Sequence, residues 1–279
     1  VNFKGSFSDF LNFLITDPQF YATTSKDLLK EASYIAKRID AKLPTLFNKL
    51  PRLPYGVAPV PEDLAPKYTG GRYVGPAEGS KEPGYYWVNT YKLDVRPLYN
   101  LEALTLHEGV PGHHLQNSIA SEIDDLPEFR KDLYLSAFGE GWGLYSEYLG
   151  IEAGFYTDPY SNFGRLTYEM WRACRLVVDT GIHAMGWSRQ RVINYLSDNT
   201  ALPIHECTTE TDRYIAWPGQ ALSYKIGELK IKELRKFAEK ELGKEFDVRN
   251  FHDTVLGSGS VPLNVLEDQV KDWVASQKN

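Results

Sequence analysis

The sequence predicts a mainly helical single domain, residues 1–279, with a small β-sheet placed just before its most unusual helix. Three observations predict it. Apolar residues recur at three- and four-residue spacing near the start and again through most of the chain after residue 96. Between them, from Pro51 to Gly84, Pro and Gly are dense and the periodicity is lost. That interval ends in "GYYWVNT", whose aromatic and β-branched residues suit a strand. The chain thus divides into a helical 1–50, a loop-and-sheet 51–95 and a helical 96–279.

"FSDFLNFL" and "SKDLLKEASYIAKRIDAKLPTLFNKL" are the first helices, the second opening on Ser25 and Asp27 as a cap region. "YGVAPV" and "GRYVG" are short strands, and Gly84–Thr90 is a third whose edge is free to take an extended peptide. Helices follow near 98–122, 128–152, 161–185, 188–197, 218–242 and 261–276. Gly150, Gly181 and Gly243 fall near expected ends. No repeat or low-complexity segment interrupts them.

Bulk properties exclude several roles. Hydrophobic residues make up 42% and charged residues 24%, the balance of a globular protein. A net charge of −6 argues against a nucleic-acid partner or an anionic membrane surface. No apolar run approaches the roughly 20 residues of a membrane span. Two cysteines, Cys174 and Cys207, make no disulfide framework and are read as buried thiols or a single bridge. The chain begins "VNFKGSFSDF", without Met or signal peptide, and is expected to be a piece of a longer protein.

Chemistry concentrates in "LTLHEGVPGHHLQ", which holds His107, Glu108, His113 and His114. A catalytic zinc takes about three protein ligands and leaves one position open. On a regular helix two His at i and i+4 face one ion, beside a Glu that acts as base. Here position i+4 is Pro111, and His113 stands at i+6, about 120° off the face. Pro111 has no N–H for the carbonyl of His107, and Gly109 and Gly112 flank it. A bulge over Gly109–Gly112 would return His113 to the i+4 place. His114 is the rival ligand, on the right face but about 10 Å along a straight helix. "FGEGWGLYSEYLG" adds Glu140 and Glu147, seven apart and on one face of an otherwise apolar helix. One of the two suits the metal and the other a ligand His through its free ring nitrogen. "PGQALSYKIG" offers Tyr224, and Arg213 and Tyr214 lie just upstream as contacts for a substrate carboxylate or oxyanion. His183 is expected at a helix end, with His252 similarly structural and His205 in a loop. A di-iron oxidase is excluded because no Glu stands three residues before any His. A Ser-His-Asp hydrolase lacks its G-x-S-x-G elbow.

These motifs, with "VVDTGIHAMGWS", "DRYIAWPGQALSYKIGELKI" and "FHDTVLGSGSVPL", resemble the bacterial family catalogued as domain of unknown function 885. The resemblance runs over most of the chain and corresponds to the C-terminal half of family members. It implies a zincin-like metallopeptidase fold, with a more distant similarity to thimet-oligopeptidase-like and Taq-carboxypeptidase-like peptidases. Laying "GHHL" on their Gly-His-Ala-Leu implies zinc held by His107, His113 and Glu140. It makes Glu108 the general base, Glu147 the residue behind the ligands, and His114 a neighbour behind the ligands or beside the substrate. Tyr224, then Arg213, would act on the oxyanion. The resemblance also implies a peptide substrate, an extracytoplasmic or lipid-anchored location, and a missing N-terminal half packed against this one. The readings it competes with are a zinc hydrolase of another amide or ester and a non-catalytic zincin-fold binding domain. An intact Glu108 weighs against the last, since binding alone needs no base.

Overall fold

The computed structural model describes residues 3–77, 80–131 and 133–278. In these the protein is mainly helical, with one three-stranded sheet. Helix α1 (Phe7–Thr16) is closed by a Ser6–Asp9 capping box. Helix α2 (Ser25–Asp40) is capped by Thr24, one residue before the expected cap, and buries Leu28, Ala32, Ile35 and Ile39 along one stripe. The strands are β1 (Tyr55–Pro59), β2 (Gly71–Val74) and β3 (Gly84–Val88), in the order β1-β3-β2. β3 pairs parallel with β1 and antiparallel with β2. "GYYWVNT" is therefore the central strand and has no edge to offer. Tyr86 and Val88 are buried there, on the face that packs against the main core, while Tyr85 and Trp87 on the other face are half-buried. Among the described residues no strand pairs with the outer edges of β1 and β2.

After the sheet come α3 (Leu101–Glu108), α4 (His113–Ser121), the single turn α5 (Glu128–Lys131), α6 (Ser136–Glu152) and α7 (Pro159–Met185). They are followed by α8 (Arg189–Asn199), α9 (Ile204–Ala216), α10 (Gln220–Leu242), α11 (Val248–Leu256) and α12 (Leu263–Gln277). Four expectations change. The helix expected over 98–122 is two helices, and that over 128–152 is a turn followed by α6. Gly181 lies inside α7, which runs on to a left-handed Gly186. Residues 204–216 and 248–256 form helices where none was expected, so His205 stands on α9 rather than in a loop. The buried face of α9 carries Glu206, Cys207, Glu210, Thr211 and Tyr214, and a polar inner face leaves no apolar period to read. Cys174 and Cys207 are separate buried thiols. Among the described residues no helix is long and apolar enough to cross a membrane.

The main core sits between α6 and α10, with α2, α3, α4, α11, α12 and the sheet around them. A second core joins α7, α8 and α9. Aromatic residues tie α1 to α7 through Phe20, Tyr99 and Tyr160. The α6–α10 crossing rests on paired glycines. A Cβ on Gly141 would lie 2.5 Å from the Gly227 Cα, and one on Gly227 would strike the Ala137 carbonyl. Gly227→Ala is accordingly expected to force the two helices apart, at a cost of about 1–3 kcal/mol. Chemical unfolding measures this, and an unchanged midpoint would show that the crossing tolerates a methyl. The crossing matters because it sets Glu140 of α6 against Gln220 and Tyr224 of α10.

Candidate metal centre

Helix α3 ends on its two most reactive side chains, His107 and Glu108. The Gly109 N–H still reaches the Thr105 carbonyl at 2.9 Å, and then the helix stops. Pro111 cannot donate to the carbonyl of His107, and Gly112 packs so close to that carbonyl that a Cβ would collide with it. The Val110–Pro111 peptide is cis. The Trp142 indole of α6 donates to the Pro111 carbonyl at 2.7 Å and fastens the loop. Helix α4 then starts at His113. The interruption is a loop between two helices rather than a bulge within one. It places the ring of His113 4.8 Å from that of His107.

Glu140, on the facing side of α6, completes the cluster. Its Oε2 lies 3.5 Å from His107 Nε2 and 3.2 Å from His113 Nε2. All three ligand atoms lie within 4.8 Å of one another, and all three residues are buried. A tetrahedral zinc with bonds of about 2.0–2.2 Å has ligand atoms roughly 3.3–3.6 Å apart, so the 3.5 Å separation fits the ion and the 3.2 Å one falls just short of it. The far side of each ligand is also held. His107 Nδ1 meets Glu147 Oε1 at 2.8 Å, and Arg172 of α7 meets the same oxygen at 2.9 Å. Glu140 Oε1 accepts from the Tyr134 hydroxyl at 3.1 Å and from Gln220 Nε2 at 3.2 Å, leaving Oε2 for the histidines. His113 Nδ1 has a looser neighbour, Gln116 Oε1, at 3.4 Å. Such supports fix ring orientation and tune ligand basicity.

The electrostatics fit a site built for a cation. Burial pushes Glu140 toward its neutral form, but His113 and His107 outweigh that and hold it well below the usual carboxylate range. Burial likewise opposes a charged His107, yet Glu140, Glu147 and Glu108 raise it to about 10. Without a metal, a proton on His107 stands in for the positive charge.

Glu108 faces the same space without joining the ligand triad. Its Oε2 accepts the Tyr73 backbone N–H of β2 at 2.7 Å. Both line a cavity of about 950 Å³, with β2 on one wall and α7, α9 and α10 on the other. Tyr224 lines it too, with its ring 6.0 Å from that of His107 and its hydroxyl accepting from Gln220 at 3.2 Å. Arg213 lies on the α9 side, bonded to Glu210 and Gln220.

The expected position of His114 is corrected. It turns away from the ligands, toward the Tyr73 hydroxyl at 3.2 Å and the Leu53 carbonyl at 3.0 Å. Burial lowers it to about 4. It joins α4 to the sheet and neither touches a ligand nor lines the cleft. His183 bonds the Tyr214 carbonyl at 3.0 Å near the end of α7. His252 is a core residue between the Leu46 carbonyl and the Tyr145 hydroxyl. Tyr134, Gln220 and Arg172 were not singled out from the sequence. Gln220 stands four residues before Tyr224, so it shares its helix face, and that spacing was a usable signal. Arg172 lies inside a buried helix face, where a charge implies a partner.

Between Glu140 and Glu147, Gly143 lies directly under the ring of His107. A Cβ there would sit 2.6 Å from His107 Cε1. Gly143→Ala is expected to tilt the ring and weaken zinc binding by about 10–100-fold, the scale of losing a ligand's support. A competition titration with a chelating dye reads this. Unchanged affinity would mean that His107 does not ligate through this ring position.

DUF885, described as a bacterial protein of unknown function, matches residues 1–270. The chain is 38% identical to a "putative lipoprotein" from Colwellia psychrerythraea, whose crystal structure superposes with a TM-score of 0.94 over 98% of this chain and 48% of that one. A second protein so described, of unknown function, from Shewanella oneidensis is 20% identical, with a TM-score of 0.77 over 96% of this chain and 50% of that one, and shares the fold. This chain spans about half the length of either. No curated protein matches it.

Proposed function

The chain belongs to DUF885, a family of bacterial proteins of unknown function, and we propose that its site is that of a zinc-dependent peptidase acting on small or unstructured peptides. The observation that carries this is the convergence of His107, His113 and Glu140 on one point, with Glu108 facing the adjoining cavity but outside the triad. A site that only bound metal would need no such fourth group.

Zinc held by His107, His113 and Glu140 would supply polarisation of a carbonyl and a lowered pKa for water. Every other step falls to the protein's own side chains. Glu108 takes the proton of the attacking water and passes it to the departing amine. The Tyr73 N–H fixes its Oε2 and so aims the carboxylate. Tyr224 donates to the developing oxyanion, with Gln220 orienting its hydroxyl. Glu147, fixed by Arg172, keeps a proton on His107 Nδ1 so that Nε2 stays free to ligate. Strand β2 lines the cleft, and among the described residues no strand pairs with its outer edge, where only the Tyr73 N–H is engaged, by Glu108; this supports binding of an extended peptide beside it. This is the role first expected of β3.

The lipoprotein descriptions of the two solved relatives support an extracytoplasmic location. This chain covers about half of each of them, which fits a protein with a second half packed against this one. The test of function is elemental analysis followed by cleavage of a mixed peptide library. One zinc per chain, chelator-sensitive cleavage and recovery with zinc are the expected results. A purified protein that takes up no zinc would sink the reading. Cleavage of other amides but no peptide would move it to a different hydrolase.

A further inference from the structure

The α9 wall of the cleft carries one cation more than its carboxylates balance. Arg96 is matched by Glu206 at 2.7 Å. Arg175 and Arg213 share a single oxygen, Glu210 Oε2, at 2.9 and 2.8 Å. The neighbouring carboxylate, Asp212, is taken by Arg189 through two bonds. Glu147, buried behind His107, belongs to Arg172 and His107. Among the described residues of this wall, Arg213 is therefore the charge left over. It is also the accessible one: 29% of its side chain is exposed, against 2% for Arg175. Of its five N–H donors, two hold Glu210 and one holds Gln220; the Tyr224 hydroxyl also stands beside the guanidinium, which leaves one donor for a bound anion.

Its distance from the metal ligands is set by one side chain. Gln220 Oε1 accepts from Arg213 Nη1 at 3.3 Å, and its Nε2 donates to Glu140 Oε1 at 3.2 Å. A peptide with its scissile carbonyl at the cluster spans that gap with one or two residues of extended chain, each roughly 3.3–3.6 Å.

We propose that Arg213 receives the free C-terminal carboxylate of the substrate, so that the enzyme removes one or two residues from the C-terminus. The inference rests on the peptidase reading and names its substrate class. In the reaction the peptide C–N bond breaks. Water supplies hydroxyl to the carbonyl carbon and a proton to the leaving amine, and the released fragment keeps its carboxylate on Arg213. The glutamine bridge and the shared Glu210 hold the guanidinium in place on the cleft wall, where its remaining donor can meet a carboxylate oxygen.

The test compares one short peptide as free acid and as C-terminal amide. Cleavage is followed with the zinc-loaded chain, and binding by calorimetry with zinc-loaded Glu108→Gln, which binds without cutting. The free acid is expected to bind and to be cut at least tenfold better. Arg213→Ala is expected to lower binding and cleavage of the acid at least tenfold more than those of the amide, so that the preference is lost, while Arg213→Lys restores part of it. Equal cleavage and binding of acid and amide would overturn the carboxylate assignment and leave the peptidase standing. An equal loss for both peptides in Arg213→Ala would place Arg213 in the framework or on the oxyanion. If the zinc-loaded protein neither binds nor cuts either form, the peptidase reading falls and this inference with it.

Discussion

Glu108→Gln is expected to leave one zinc in the protein and to lower hydrolysis by about 10²–10⁴-fold, the usual worth of a positioned general base. The two halves of that expectation come from different contacts. Glu108 is absent from the His107, His113 and Glu140 triad, so replacing its carboxylate removes no ligand atom. Its Oε2 accepts the Tyr73 N–H at 2.7 Å, and a glutamine carbonyl keeps that bond and nearly the same volume. What changes is the second oxygen, which becomes an N–H group with no lone pair for the water's proton. Metal content and rate must be measured on the same preparation. A variant with full zinc and full activity would show that another group is the base. A variant that loses zinc would place Glu108 in the ligand set. Glu140→Gln is the contrasting control, expected to lower metal content itself.

The parts legible from sequence were those fixed by covalent spacing. Glu140 and Glu147 are seven apart on one helix, and any regular helix aligns them. Pro111 at the i+4 position announced a break before its shape was known. The form of that break was not legible, because it depends on a distant contact, the Trp142 indole on the Pro111 carbonyl. The turn of His114 away from the ligands had the same origin: it follows Tyr73 and Leu53, 41 and 61 residues upstream. Strand order was hidden too. Nothing local in "GYYWVNT" tells a central strand from an edge, and only pairing on both sides made β2 the strand along the cleft. Helix α9 escaped because its buried face is charged. Those charges find partners in Arg96 and Arg175, which come from elsewhere in the chain.

Zinc affinity is expected to rise with pH by up to about tenfold per unit through the neutral range, one proton being displaced as the ion binds. Glu140, Glu147 and Glu108 hold the metal-free His107 at about 10, so below that pH its ring carries a proton that must leave Nε2 before it can ligate. The proton on Nδ1 stays, donated to Glu147. Stability of the metal-free protein should run the other way. A raised imidazole contributes stability fully below its ordinary 6.5, and that contribution is lost as pH rises toward about 10. Glu140, held low, contributes above the ordinary carboxylate range and loses its share as pH falls through its own lowered value. Metal-free protein should therefore be most stable in the mildly acidic range and weaken toward alkaline pH. Zinc-loaded protein should not weaken there, because the ion replaces the proton and adds stability that grows with its free concentration. Thermal midpoints from pH 5 to 9, with chelator and with zinc, separate the two curves. Parallel curves would mean that zinc and the His107 proton do not compete for one site.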